Sequence, residues 1–180
     1  DGISTPQGFT ALHLACLSGH VGVVGLLLSR STDLLENQDG QGQVGLHIAA
    51  TNGNYEMCQV LLGQGANYEV VDKGGWSALH CAAKAGYLDI VKLLVDAGCS
   101  TTAKTNEGSV PVWYACVENN KFVVEFLLRC DHDSYALIED HQFIYNLMKM
   151  SKGDENKTLE DFVYLSPAPA DIAAKLSAIY

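Results

Sequence analysis

Basic residues are scarce in this chain. Eleven lysines and arginines face 21 aspartates and glutamates, a formal net charge of −10 over 180 residues. That balance repels a nucleic-acid backbone or an anionic membrane face, so neither is expected as the main partner. Long apolar runs are missing too. A bilayer span needs about 20 apolar residues, whereas the longest stretch here, Val21 to Leu28, is interrupted by Gly22 and Gly25. It fits a packed helix, and no membrane insertion by this segment is expected. No CxxC pair occurs among Cys16, Cys58, Cys81, Cys99, Cys116 and Cys130. This argues against a zinc framework and leaves reduced, mostly buried thiols as the expectation.

Chemistry-bearing motifs are equally thin. No nucleophile motif, supported carboxylate pair or phosphate-cradling glycine loop is found, so neither an enzyme nor a cofactor is expected. Asp131, Asp133, Glu139 and Asp140 cluster after the middle of the chain. They lack the spacing and invariant glycine of a calcium loop and read as a solvated linker. Asn156-Lys157-Thr158 matches a glycosylation sequon, a weak three-residue pattern. A signal peptide and an initial methionine are absent, and no polar capping repeat precedes the first repeat. A piece of a longer array, continuing at both ends, is the expectation.

What the chain does have is repetition. Thr10-Ala11-Leu12-His13 returns as Val44-Gly45-Leu46-His47, as Ser77-Ala78-Leu79-His80 and as Val110-Pro111-Val112-Trp113. Successive fourth residues lie 34, 33 and 33 positions apart. Gly8, Gly42, Gly75 and Gly108 share one turn position, and Gly19, Gly53 and Gly86 another, where the fourth copy has Asn119. In the third copy, Asp72-Lys73-Gly74-Gly75 is a turn and Ser77 caps a short helix with Leu79, Ala82 and Ala83 on one face. Gly86 ends that helix. A second helix follows with Ile90, Val91, Leu93 and Leu94 on its buried side, Asp89 in its first turn and Gly98 at its end.

This period and signature resemble ankyrin repeats. The implied fold is an all-α ankyrin-repeat solenoid. About four helix-turn-helix repeats with β-turn fingers would cover 1–37, 38–71, 72–104 and 105–135. A helical linker would follow over 136–180. One repeat cannot bury its own apolar face, and stacking supplies the missing surface. His13, His47 and His80 are expected to be structural, bonding backbone groups of their own turn and of the next repeat. The exposed tip candidates for a protein partner are Gln7, Phe9, Gln41, Gln43, Lys73, Trp76, Asn106 and Glu107. Phe9 and Trp76 would be the anchors, because aromatics dominate hot spots.

The fourth copy departs from the rule, with Val110 for the hydroxyl cap and Trp113-Tyr114 where modest residues belong. Apolar helical patterns follow over about 139–151, from Thr158 to Leu165, and over 170–180. Trp113 and Tyr114, with Phe143, Ile144 and Leu147, are candidates for a repeat–linker junction.

The tail carries a narrower likeness. Tyr145-Asn146-Leu147-Met148, Phe162-Val163 with Leu165-Ser166-Pro167-Ala168-Pro169, and Ala173-Ala174-Lys175-Leu176-Ser177 resemble NOMPC-type (TRPN) mechanosensory channels, in the segment between ankyrin array and membrane domain. Gly75-Trp76 with Leu79 to Gly86 resembles that family's final repeats. The resemblance implies a homotetrameric, non-selective cation channel on the plasma membrane of sensory cilia. This segment would sit on the cytoplasmic side, coupling force from the repeats to the linker and transmembrane domain. Any microtubule contact would belong to upstream repeats. The alternative reading is a soluble adaptor that grips a protein through its turn tips and first-helix face.

Overall fold

The computed structural model describes residues 5–130. Phe143, Ile144, Leu147 and the expected tail helices lie outside them. The described chain forms α1 (Ala11–Leu17), α2 (Val21–Leu28), a 3-10 helix (Thr32–Glu36), α3 (Gly45–Thr51), α4 (Tyr55–Gly63), α5 (Ala78–Ala85), α6 (Leu88–Asp96), α7 (Pro111–Val117) and α8 (Lys121–Cys130). Among the described residues the β-structure is a single isolated antiparallel bridge, Val71 to Ser77, at the base of one finger.

The helices stack in two layers. The first helices of the pairs pack in series, α1 on α3, α3 on α5 and α5 on α7. The second helices do the same, α2 on α4, α4 on α6 and α6 on α8. The inner layer is lined by small side chains at one register. Ala15, Ala49, Ala82 and Ala115 are all buried there, and the next position holds Cys16, Ala50, Ala83 and Cys116. Short side chains let the inner helices approach closely. The cysteines fill two of those slots, and burial pushes the Cys16 and Cys116 thiols up to about 12. Such thiols stay protonated and act as small hydrophobes.

The outer layer supplies bulk. Leu61, Leu94 and Leu127 occupy one register and are each buried, whereas Leu27 at the same register of α2 is only partly covered. Val23 repeats this contrast. It is 47% exposed where Met57, Ile90 and Val123 are buried. Positions that the preceding helix pair covers in the later repeats are therefore open in the first.

Between helices of a pair, the chain turns through the left-handed region at Gly19, Gly53 and Gly86, and at Asn119 with φ of 61°. Asn119 is the one non-glycine residue with positive φ among the described residues. Asparagine is among the few side chains that adopt this conformation at modest cost, and so α7 ends where its equivalents do. The following Asn120 reaches back across the stack. Its Nδ2 donates to the carbonyls of Ala83 at 3.0 Å and Lys84 at 2.7 Å, satisfying the last turn of α5.

Candidate functional site

The fingers that project from the helix stack are built by their first residue. Asp39 Oδ1 accepts the backbone N–H groups of Gln41 and Gln43, both at 2.8 Å. Asp72 Oδ1 accepts those of Gly74 at 2.8 Å and Trp76 at 2.9 Å. A side chain that binds its own backbone in this way closes the turn. Threonine takes the place in the outer two fingers, where Phe9 N–H reaches Thr5 Oγ1 at 3.1 Å and Ser109 N–H reaches Thr105 Oγ1 at 3.3 Å.

Neighbouring fingers are then joined through main chain. Gly40 N–H donates to Gln7 O at 2.8 Å, Lys73 N–H to Gln41 O at 2.9 Å and Asn106 N–H to Gly74 O at 2.9 Å. The approach is tight. A Cβ on Gly75, whose φ is 78°, would lie 2.8 Å from Asn106 N. Two tip residues add side-chain bonds to the same ladder. Lys73 Nζ donates to Gly40 O at 2.7 Å, and Asn106 Nδ2 to Lys73 O at 2.8 Å.

The three histidines tie fingers to helices. His13 Nε2 lies 2.9 Å from Gln43 O, His47 Nε2 2.9 Å from Trp76 O and His80 Nε2 3.3 Å from Ser109 O. Carbonyls only accept, so each Nε2 carries the proton. Each Nδ1 in turn accepts a backbone N–H from its own helix start, Thr10 at 3.0 Å, Val44 at 3.4 Å and Ser77 at 3.1 Å. Thr10 and Ser77 add a hydroxyl at 2.8 Å, which Val44 cannot. The neutral Nε2–H tautomer satisfies both sides, and a second proton on Nδ1 would face a donor. Burial accordingly holds His47 and His80 below the usual histidine range. Trp113 stands at the same register of α7, where an indole can only donate.

Replacing His80 with alanine is expected to cost ~1–3 kcal/mol, because the Ser77 N–H and Ser109 carbonyl lose a buried partner. Chemical denaturation checks this. A urea midpoint equal to wild type would refute the bridging role.

Fingers and inner helices together wall a groove of about 500 Å³. Gln43, Asp72 and Trp76 line it from the fingers, and Thr51, Lys84 and Glu118 from α3, α5 and the end of α7. Trp76 dominates this wall. It is partly buried, and its ring centroid lies 4.2 Å from that of Tyr114 at an interplanar angle of 39°. Tyr114 Oη lies 3.2 Å from Thr105 Oγ1, and the Lys84 ammonium lies 5.2 Å from the Trp76 ring centroid. The Cys81 thiol on the same face is pushed up to about 11, mainly by burial, and is no nucleophile at neutral pH.

The candidate positions thus separate. Trp76 and Gln43 line the groove. Phe9 is partly buried, with its ring centroid 6.0 Å from that of His13. Gln7 and Gln41 are exposed and lend their carbonyls to the finger ladder, which also engages Lys73 and Asn106. Glu107 is exposed. Trp113 packs against the core, while the Tyr114 ring meets that of Trp76. The Asp39 and Asp72 anchors and the Trp76–Tyr114 pair are the functional features that sequence reasoning missed. The 33-residue register carried the signal for the aspartates. Tyr114 shares its position with Leu14, Ile48 and Cys81. Among the described residues, no group of three or more His, Cys, Asp or Glu side chains could hold a metal ion, and no helix is long and apolar enough to cross a membrane.

A solenoid of helix pairs with bonded fingers and a lateral groove defines a class of repeat protein generally used for protein–protein interaction. Two family models match, one described as ankyrin repeats (3 copies) over residues 46–136 and one described as ankyrin repeats (many copies) over residues 12–62. The chain belongs to the ankyrin-repeat family. It is 32% identical over 96 residues to target of rapamycin complex 2 subunit AVO2 of Saccharomyces cerevisiae, covering 53% of this chain and 22% of that protein. It is 36% identical over 98 residues to human transient receptor potential cation channel subfamily A member 1, covering 53% of this chain and 9% of the channel. A probable 26S proteasome regulatory subunit, p28 of Saccharomyces cerevisiae, is 29% identical over 142 residues, covering 78% of this chain and 62% of that protein. The chain spans less than two thirds of each of these relatives.

Proposed function

We propose that this array is a protein-interaction scaffold whose groove seats a segment of a partner protein. The observation that carries the reading is the Trp76 ring on the groove wall, held in a tilted contact with the ring of Tyr114. Rigid aromatic surface set in a concavity is the usual anchor of a protein interface. Ala85 is exposed and lines the same groove, so Ala85→Trp fills it without touching the core. Panning a random twelve-residue peptide library on the folded protein is expected to yield binders that Ala85→Trp abolishes, at an unchanged urea midpoint. Binders indifferent to Ala85→Trp, or no binders at all, would overturn the groove as the partner surface.

A second reading extends the first to mechanical coupling in a TRP-type cation channel at the cytoplasmic side of the plasma membrane. Two observations support it: the likeness to the human TRP channel and the tail motifs between Tyr145 and Ser177. Each helix pair packs mainly on its sequence neighbours, which suits an elastic array. Trp113 would hand force to the tail residues Phe143, Ile144 and Leu147, since the Tyr114 ring is already engaged with Trp76. In the full-length parent, Trp113→Ala is expected to reduce force-evoked current. Unchanged current together with unchanged stability would sink this reading.

A further inference from the structure

The groove is part-filled by one of its own side chains. Lys84 is exposed, and its ammonium lies over Trp76, 5.2 Å from the ring centroid. Among the described residues that ammonium makes no ion pair, so what draws it to the ring is the negative face of the indole. Two acidic residues, Asp72 and Glu118, line the same groove. Across the whole chain, acidic residues outnumber basic ones by 21 to 11. Trp76 is therefore an aromatic face in an electronegative setting that already holds a cation.

We propose that Trp76 is a receptor for a cationic side chain of the partner, an arginine or lysine that displaces Lys84 from the ring and takes Asp72 and Glu118 as counter-charge. This rests on the groove being the partner surface. The exchange is cheap for the protein, because a displaced Lys84 ammonium passes into solvent. Arginine fits best. Its guanidinium is planar, stacks on an aromatic face and is more weakly hydrated than an ammonium. Lys84 then acts as a placeholder that shields the ring when no partner is bound. It also sets a threshold, since an incoming cation must compete with it.

The test compares peptides selected on the folded protein. Selected sequences are expected to be enriched in arginine and lysine. Replacing the conserved cation of one synthetic binder by glutamine is expected to weaken it about tenfold, and Trp76→Leu, which keeps an apolar side chain against the core, to weaken the parent peptide similarly. The two changes together should be little worse than either alone, as expected for a shared contact. Lys84→Met is expected to tighten the cationic peptide about threefold and to leave its glutamine version unchanged. Groove-dependent binders without basic residues, or a loss of affinity in Lys84→Met, would overturn the cation site while leaving the groove as the partner surface. Failure to select any peptide that Ala85→Trp blocks would overturn both.

Discussion

Acidification from pH 7 to pH 5 is expected to destabilise this array through two side chains, His47 and His80. Both are held below the ordinary histidine value, first by burial. The unfolded chain takes up protons near pH 6.5. The folded state resists, because the rings are buried and each Nδ1 already accepts a backbone N–H, which outweighs the support that the carbonyls at Nε2 give the charged form. Below about pH 6.5 the unfolded state thus binds more protons than the folded one, and stability falls as pH falls. The contribution is fully present above pH 6.5 and is lost through the window beneath it, at most about 1.4 kcal/mol per pH unit for each histidine. Urea midpoints taken from pH 8 to pH 5, with imidazole NMR signals assigned to each ring, measure this. A midpoint flat across the window, or rings of His47 and His80 that titrate at 6.5 in the folded protein, would contradict it.

The second large effect is in the outer layer. Leu94→Ala is expected to cost ~2–5 kcal/mol, the range for emptying a fully buried leucine site. Leu94 has no exposed surface, and its helix α6 stacks between α4 and α8. Leu27→Ala makes the same chemical change at the same register of α2, where the side chain is only partly covered. It is expected to cost clearly less. Equal losses in the two variants would mean that burial across the stack does not set the stability of a repeat. Comparing them removes differences in side-chain chemistry and leaves only packing.

Much of this architecture is legible in the amino-acid order, because a repeat states its rules several times. The spacing of His13, His47 and His80 marks where each first helix begins. Leucine pairs and terminal glycines mark the second helices. Side-chain traffic between repeats was harder to read. Trp113 and Tyr114 are adjacent in sequence and both large, which suggested one shared role. In α7 they are about 100° apart around the axis, so one packs on the core and the other meets the Trp76 ring. Lys73 and Asn106 look like solvated tips. Their bonds run to carbonyls of the preceding finger, 33 residues away, which no local pattern displays. Asp72 reads as a generic turn former, and only the geometry shows one carboxylate oxygen holding two N–H groups.

Finger anchoring is uneven along the array. The two middle fingers close on aspartates that each take two amides at 2.8–2.9 Å. The flanking two close on threonine hydroxyls that take one each, at 3.1 and 3.3 Å. A charged acceptor makes a bond roughly twice as strong as a neutral one. Local opening should therefore begin at the flanks and reach the centre last, giving amide protons a graded lifetime from the outer fingers inward. The groove centred on Trp76 rests on the slow-opening part. Its shape persists while the margins breathe, and a partner would meet a wall already in its bound form.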